Sequence, residues 1–565
     1  MNRKKVLIGC IHLLLALAAS VALPEPSDAL AQTVKAQQAV ISRCSNTPNR
    51  VAENWISEQV AAGRAADLGL KFPAETDRVI RASFLQNLLT NSLRGLKVHR
   101  HGVHISHAAV CEPIDLDLAE IPFDTSMKDC YFSGEVSLNL SRFRKSLQLD
   151  NCIFDSAFDA AYADVAIAFR APGAQFKQAV RFDSIKVGRN FSLEDAMFER
   201  SVDFSSAEIG GDFSVDRARF KGNEQTYGFE SIKVGRSVSL RGATFEGSVD
   251  FDSAEIGGDF WADGVQFNGK EQTVTFGGMS VGKSAFFGKA LFEGKVSFIF
   301  ARINGNFEVH DSKFTSNEKE ARFDGLNVKQ HVVFEGTTFE APVSFNRAEM
   351  GIFDMMGTRF DSDKKVTSFW AMRVDDFRLV NTTFRNAIDL EGLTYKNILV
   401  GSWDDLLSFI GQSEFKVDVY TRLENYYAQL GYQDRANDVY IARRRRERSR
   451  LRGLEWLASL FLDFLIGYGR RPGLALFWSV GFVILGWIVF RDKQNMVLQN
   501  KDDAPRKYNA FWYSFDLFLP IVQLEESRVW RPDSDYTFAW YAKVHRIIGW
   551  ILIPLGLGAV TGIVK

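Results

Sequence analysis

The chain has 565 residues, too many for one ordinary hydrophobic core, so more than one domain is expected. Its 68 Lys and Arg stand against 69 Asp and Glu, a formal charge of −1 that argues against the strongly basic face wholesale nucleic-acid binding needs. Phenylalanine is the outlier at 48 residues, against 14 Tyr and 11 Trp, so the fold repeatedly asks for a large ring with no polar handle.

Residues 1–31 read as a bacterial-type secretory signal. Arg3, Lys4 and Lys5 precede an apolar stretch over 6–23, and Ala29-Leu30-Ala31 offers a small-residue cleavage site. An uncleaved anchor is the alternative, and either reading exports the rest of the chain. Four cysteines remain beyond Cys10: Cys44, Cys111, Cys130 and Cys152. In an exported chain they permit disulfides; otherwise they are small buried thiols. Residues 36–97 read as a helical cap, with Val79, Ile80, Phe84, Leu85, Leu88 and Leu89 of RVIRASFLQNLLTNSL on one face.

Next comes a repeat. SVDFSSAEIGGDFSVDRARF (201–220) returns 47 residues later as SVDFDSAEIGGDFWADGVQF (248–267). Phe182, Phe229, Phe276 and Phe323 keep that step, as do Phe204, Phe251, Phe298 and Phe345. Each 47 divides into 22 and 25, the longer part carrying a polar insertion such as 222–226. Within one unit Val202, Phe204, Ala207, Ile209, Phe213, Val215, Ala218 and Phe220 are spaced 2, 3, 2, 4, 2, 3, 2. A step of 2 is the period of a strand face, and the wider steps are corners. Gly188, Gly210, Gly211, Gly235, Gly257 and Gly258 stand at corners, where turns with unusual backbone angles are expected. Such a circuit buries its apolar side chains only when copies stack, so ladders of Phe, Val/Ile and Ala are expected. The frame reaches upstream with an offset of 66, matching Val136 to Val202 and Phe154 to Phe220, and it puts Cys130 and Cys152 at one corner of successive coils. They read as a thiol ladder in preference to a disulfide, because direct stacking is poor disulfide geometry. The solenoid spans 98–400, about 13 coils of 22–25 residues, or ~60 Å at ~4.8 Å per coil.

AEIGG, AEIPF, ARING, AEMGI and ATFEG resemble the repeat unit of pentapeptide-repeat proteins. The resemblance implies a right-handed quadrilateral β-helix; the spacing alone also admits three sides. With its apolar C-terminus the chain is similar to bacterial membrane-associated pentapeptide-repeat proteins.

Residues 401–469 read as a helical linker: YTRLENYYAQLGYQDRANDVYIARRRRERSR forms a hairpin, and 454–469 is apolar enough to lie on a membrane surface. Residues 470–565 read as a two-span transmembrane hairpin, with 473–490 and 547–564 free of charge. Trp487 and Trp550 are candidate interface markers, and Gly558 with Gly562 forms a face on which another copy could pack as a homo-oligomer. Nine basic residues in 491–546 against Arg470 and Arg471 just before the first span favour a solenoid outside the bacterial inner membrane.

No catalytic constellation stands out, so no enzyme, cofactor or metal is expected. His99, His101, His104 and His107 fall outside the inward frame and read as a solvated patch rather than a metal site. The seven arginines of 443–452 suggest contact with anionic lipid. The favoured function is a membrane-anchored scaffold offering a solenoid face to an unidentified protein partner. The alternative is an ion channel or transport component with a re-entrant segment at 510–523, where Asp516 is the one charge.

Overall fold

The computed structural model describes residues 44, 47–222, 225–316, 319–363, 366–500, 507–519, 522 and 524–561. The signal at 1–31 and Gly562 lie outside them. The chain divides into two units, one ending in the segment 394–400 and the other comprising 388–393 and 401–565.

The first unit is a parallel β-solenoid of about 13 coils. One coil shows the rule: Val202–Asp203, Glu208–Ile209, Phe213–Ser214 and Arg219–Phe220 are four two-residue strands, one to a side. Four sides, not three, therefore make the circuit. Coils pair in parallel register, Val136 with Phe158, Phe158 with Val180 and Val180 with Val202. A coil with an insertion keeps the register by lengthening one loop, so Val202 pairs with Tyr227. Near the far end the second and third sides fuse into longer strands such as Glu349–Asp354 and Arg373–Arg378. That fusion makes a single 24-stranded sheet of the two sides, while the fourth side is a 14-stranded sheet.

The inward set is buried along the whole unit. Phe229 lies between Phe204 and Phe251, at centroid distances of 5.1 and 4.4 Å. The two Phe series of the sequence thus interleave in one ladder. A second ladder on the fourth side runs unbroken from Phe132 to Phe384, with spacings of 4.4–5.3 Å. Each buried ring contributes about 1.5–3 kcal/mol by burial and about 0.5–1.5 more by stacking. Phenylalanine is preferred because a Tyr hydroxyl in this dry interior would need a partner.

The corners differ from expectation. The left-handed residues directly precede a buried side chain and are mostly not glycine: Leu140, Tyr162, Ser184 and Ser206 on one corner, Asn151, Asp195 and Arg217 on another. Gly188, Gly210, Gly235 and Gly257 lie outside the left-handed region. A Cβ on each would overlap the carbonyl oxygen of the coil beneath, at Ala166, Gly188, Gly210 and Gly235 respectively. Gly211 and Gly258 meet the backbone of Arg189 and Arg236 in the same way. These glycines serve close approach between coils, not backbone angle.

Before the first coil come helices α1 (Arg50–Ala61), α2 (Leu68–Lys71) and α3 (Ala82–Leu89). Val79 and Ile80 form a strand rather than part of a helix, because they pair with Ala109 and Val110 of the first coil. Ala66 and Asp67 extend another side by pairing with Ile105 and Ser106. Glu53, almost fully buried in α1, receives the Arg81 guanidinium at 2.5 Å and the Arg81 backbone N–H at 3.0 Å. A disulfide joins Cys44 to Cys111, with Cα atoms 5.6 Å apart. Cys130 and Cys152 are free and buried, and their thiols donate to the Ile105 and Met127 carbonyls at 3.8 and 3.3 Å. Burial and the Cys130 thiol together push the Cys152 thiol up.

Cysteine labelling reads out this arrangement. In the folded protein none of these four cysteines is expected to react with an alkylating reagent. Denaturation exposes Cys130 and Cys152, and reduction exposes Cys44 and Cys111. Replacing Cys111 by Ser opens a loop whose ends are 67 residues apart, a loss of about 4 kcal/mol read by protease sensitivity of 47–97.

The second unit is helical: α4 (Trp403–Gln412), α5 (Val417–Gln429), α6 (Gln433–Arg448), α7 (Gly453–Ile466), α8 (Gly473–Val489), α9 (Ala510–Phe518), α10 (Glu526–Val529) and α11 (Tyr541–Thr561). A small antiparallel ribbon pairs Met496–Leu498 with Trp530–Pro532. Gly467, Tyr468 and Gly469 have φ of 54, 52 and 86°, so this Gly-Tyr-Gly is the left-handed stop between α7 and α8.

Candidate functional site

Within the solenoid a shallow groove of about 960 Å³ runs along the second side. Its floor is the glycine stripe Gly188, Gly210, Gly235, Gly257 and Gly282. The register puts Ala166 before this stripe and Asn304 after it, so side chains return where the groove ends. Beside the stripe the outward residue of each strand alternates in sign: Arg142, Asp164, Lys186, Glu208, Lys233, Glu255. Neighbours pair along this row, Arg142 with Asp164 at 3.2 Å, Lys186 with Glu208 at 3.1 Å and Lys233 with Glu255 at 3.8 Å. Sequence reasoning missed the row, although charges of opposite sign recur at 22-residue steps from Glu120 to Glu208. A flat, exposed, charged floor suits contact with a macromolecule rather than enclosure of a small substrate.

Two of the four histidines, His101 and His107, fasten the N-terminal segment. His101 Nδ1 lies 3.1 Å from the Gly63 carbonyl, and His104 Nε2 lies 2.7 Å from that of His101. His107 stands between Asp67, at 2.9 Å, and Asp129, at 3.9 Å. Among the described residues no group of three or more His, Cys, Asp or Glu is placed to hold a metal ion.

Much of the arginine run is engaged inside the second unit rather than left free. Arg445 and Arg448 both reach Asp463 of α7 at 2.9 Å. Arg446 donates to the Gly411 carbonyl at 2.8 Å, and Arg444 pairs with Glu447 at 2.8 Å. Just beyond the run, Arg470 pairs with Glu424 at 2.8 Å. Burial raises the Asp463 carboxyl, but the hydrogen bonds and charges of Arg445 and Arg448 outweigh it and hold it below its ordinary value. Because the folded value is depressed, this contribution is present above the ordinary Asp value of about 3.9 and is lost as pH falls through the folded value. Asp463→Asn is expected to cost about 1–2 kcal/mol at neutral pH and to flatten the acid limb of a thermal-unfolding series.

The remaining helices carry a large exposed apolar surface. α7 exposes Leu454, Phe461 and Phe464, α8 exposes Leu476, Phe477 and Ile488, and α11 exposes Ile547, Trp550 and Ile551. Only α11, with 21 residues, is long and apolar enough to cross a bilayer among the described residues, and only 22% of its apolar window is buried. A core helix of a soluble domain would show the reverse. Both stretches expected to span are helical where they are described. The first forms a helix of 17 residues, just short of that length, and the second begins at Tyr541 rather than 547. α9 packs on both: a Cβ on Gly486 of α8 would overlap the Ser514 hydroxyl, and one on Gly549 of α11 would overlap the Phe518 carbonyl. His545, buried, lies 3.0 Å from the Ser514 carbonyl and 3.2 Å from the Tyr541 hydroxyl. Asp516 is also buried, and its carboxylate accepts the Leu524 and Ser527 N–H groups at 2.6 Å each. It ties down the returning loop around α10.

Comparison with known families fits this geometry. Residues 229–269 match the family model for pentapeptide repeats, in a form of nine copies. The coils on either side continue the same four-sided register, so the matched repeats lie within one longer β-solenoid. No curated protein and no solved structure matches the chain.

Proposed function

We propose that the protein is a membrane-anchored scaffold whose solenoid presents its grooved second side to a protein partner, with no catalytic step. The observation that carries the anchor is the apolar face of α11, whose window is only 22% buried. A pentapeptide-repeat solenoid is a rigid display surface, since every coil holds its outward side chains at fixed spacing. The Cys44–Cys111 pair supports a solenoid on the oxidising side of the membrane, because disulfides persist there and not in the cytosol. Bacterial export through 1–31 agrees with that side.

Reporter fusions after residue 400 test the proposal. Activity of a periplasm-dependent reporter, together with carbonate-resistant sedimentation, is the expected outcome. A cytoplasmic reporter signal or full release by carbonate would overturn it. For the channel alternative the readout is ion flux in proteoliposomes, and none is expected.

A further inference from the structure

We infer that the grooved second side is a self-pairing surface, and that its occupant is the same side of a second copy of this chain, turned by a two-fold axis between the Glu208 and Lys233 rows. The inference rests on the anchored-scaffold reading and names its partner.

Charge order carries the argument. Asp164, Lys186, Glu208, Lys233 and Glu255 occupy one outward row on successive coils, and their signs alternate strictly. A row that alternates is its own complement under a two-fold rotation centred between two coils. Glu208 then meets Lys233 of the second copy, and Lys186 meets Glu255 of the second copy, each contact occurring twice. A basic or acidic partner gains nothing from such a row, since attraction at one coil is cancelled at the next.

Shape agrees with charge. On five successive coils the position two residues after the outward row is glycine, from Gly188 to Gly282, so that position raises no side chain from the floor, and the exposed Arg189, Arg236 and Lys283 follow it only on alternate coils. On the other flank the corner residues of the same coils are Ser184, Ser206, Ser231, Ser253 and Gly278, also small. Larger corner residues appear only outside the groove, at Tyr162 before it and Phe300 after it. Two sheet faces pack with their strands about 30° apart, so coils far from the axis diverge. The central rows are those that meet, and they are the ones flanked by small residues.

The contact is small and polar, so it is weak in free solution. Confinement to one bilayer changes that. The two-fold reverses the order of the coils, so the paired solenoids run antiparallel and lie along the bilayer; copies anchored in one membrane meet there at a high effective concentration, and a weak self-complementary face is then enough to pair them.

The test uses the full chain in vesicles of phosphatidylethanolamine and phosphatidylglycerol. Donor and acceptor dyes are placed at Arg219→Cys, an exposed position on the fourth side. Energy transfer between copies is expected. Either Glu208→Lys or Lys233→Glu should lower the paired fraction roughly tenfold, because each puts like charges together at two symmetric places. The double exchange Glu208→Lys with Lys233→Glu should restore it, and added salt should weaken pairing in the native chain. Circular dichroism of each variant reports folding, and flotation of the same vesicles reports anchoring. Protein that floats but shows no transfer overturns the inference and leaves the anchored-scaffold reading standing; protein that does not float overturns that reading instead. Transfer that ignores both single reversals, or that the double exchange fails to restore, places the contact elsewhere and also overturns the inference.

Discussion

Replacing Phe229 by Ala is expected to cost about 3–5 kcal/mol, the usual loss for a fully buried ring whose site cannot collapse. The ring stacks on Phe204 and Phe251 and meets Phe213, Phe220 and Phe245 edge-on. Its removal therefore breaks a ladder rather than one contact. Since each coil leans chiefly on its neighbours, the loss should appear as faster hydrogen exchange in the coils around 204–251, with coils far along the solenoid unchanged. Phe286→Ala is the control: this ring is half-buried on the outward side and, among the described residues, stacks on Trp261 alone, at 4.1 Å, so its loss should stay near 1 kcal/mol. Equal effects at both positions would contradict the ladder.

Ile551→Lys is expected to cost about 3 kcal/mol of membrane insertion, because it puts an ammonium at the middle of α11 on a face the protein does not cover. The readout is the carbonate-resistant fraction, which should fall several-fold, and further when Leu557→Lys is added. In a soluble domain the same exposed positions would accept lysine with little change. The experiment thus separates a bilayer-facing helix from a surface helix.

Much of the solenoid was legible because its rule is local. Val202, Phe204, Ala207 and Ile209 state the two-residue strand and the corner in eight positions, and the 47-residue echo states the stacking. Four sides needed only the count of strands in one circuit. The glycines were misread because sequence shows that a small residue is required but not whether angle or proximity requires it. Left-handed corners were invisible, since Leu140, Tyr162 and Arg217 occupy them as readily as Ser206. Val79 and Ile80 have helical spacing, and only the open edge of the first coil draws them into a strand. The arginine run looked free because its partners lie elsewhere in the chain, Asp463 for Arg445 and Gly411 for Arg446. Asp516 likewise finds its donors beyond its own helix, in the N–H groups of Leu524 and of Ser527 in α10.

Spin-label distances along one outward row test the stacking most directly. Ser205, Ile299 and Asn346 fall in a single row, since Ser206, Ser231, Ser253, Gly278, Phe300 and Gly325 bond coil to coil beside it. Labels at Ser205 and Ile299 should be about 19 Å apart, and labels at Ser205 and Asn346 about 29 Å, each further 47 residues adding about 10 Å. Distances that scatter, or that fail to grow in that step, would mean that the 47-residue echoes do not lie over one another.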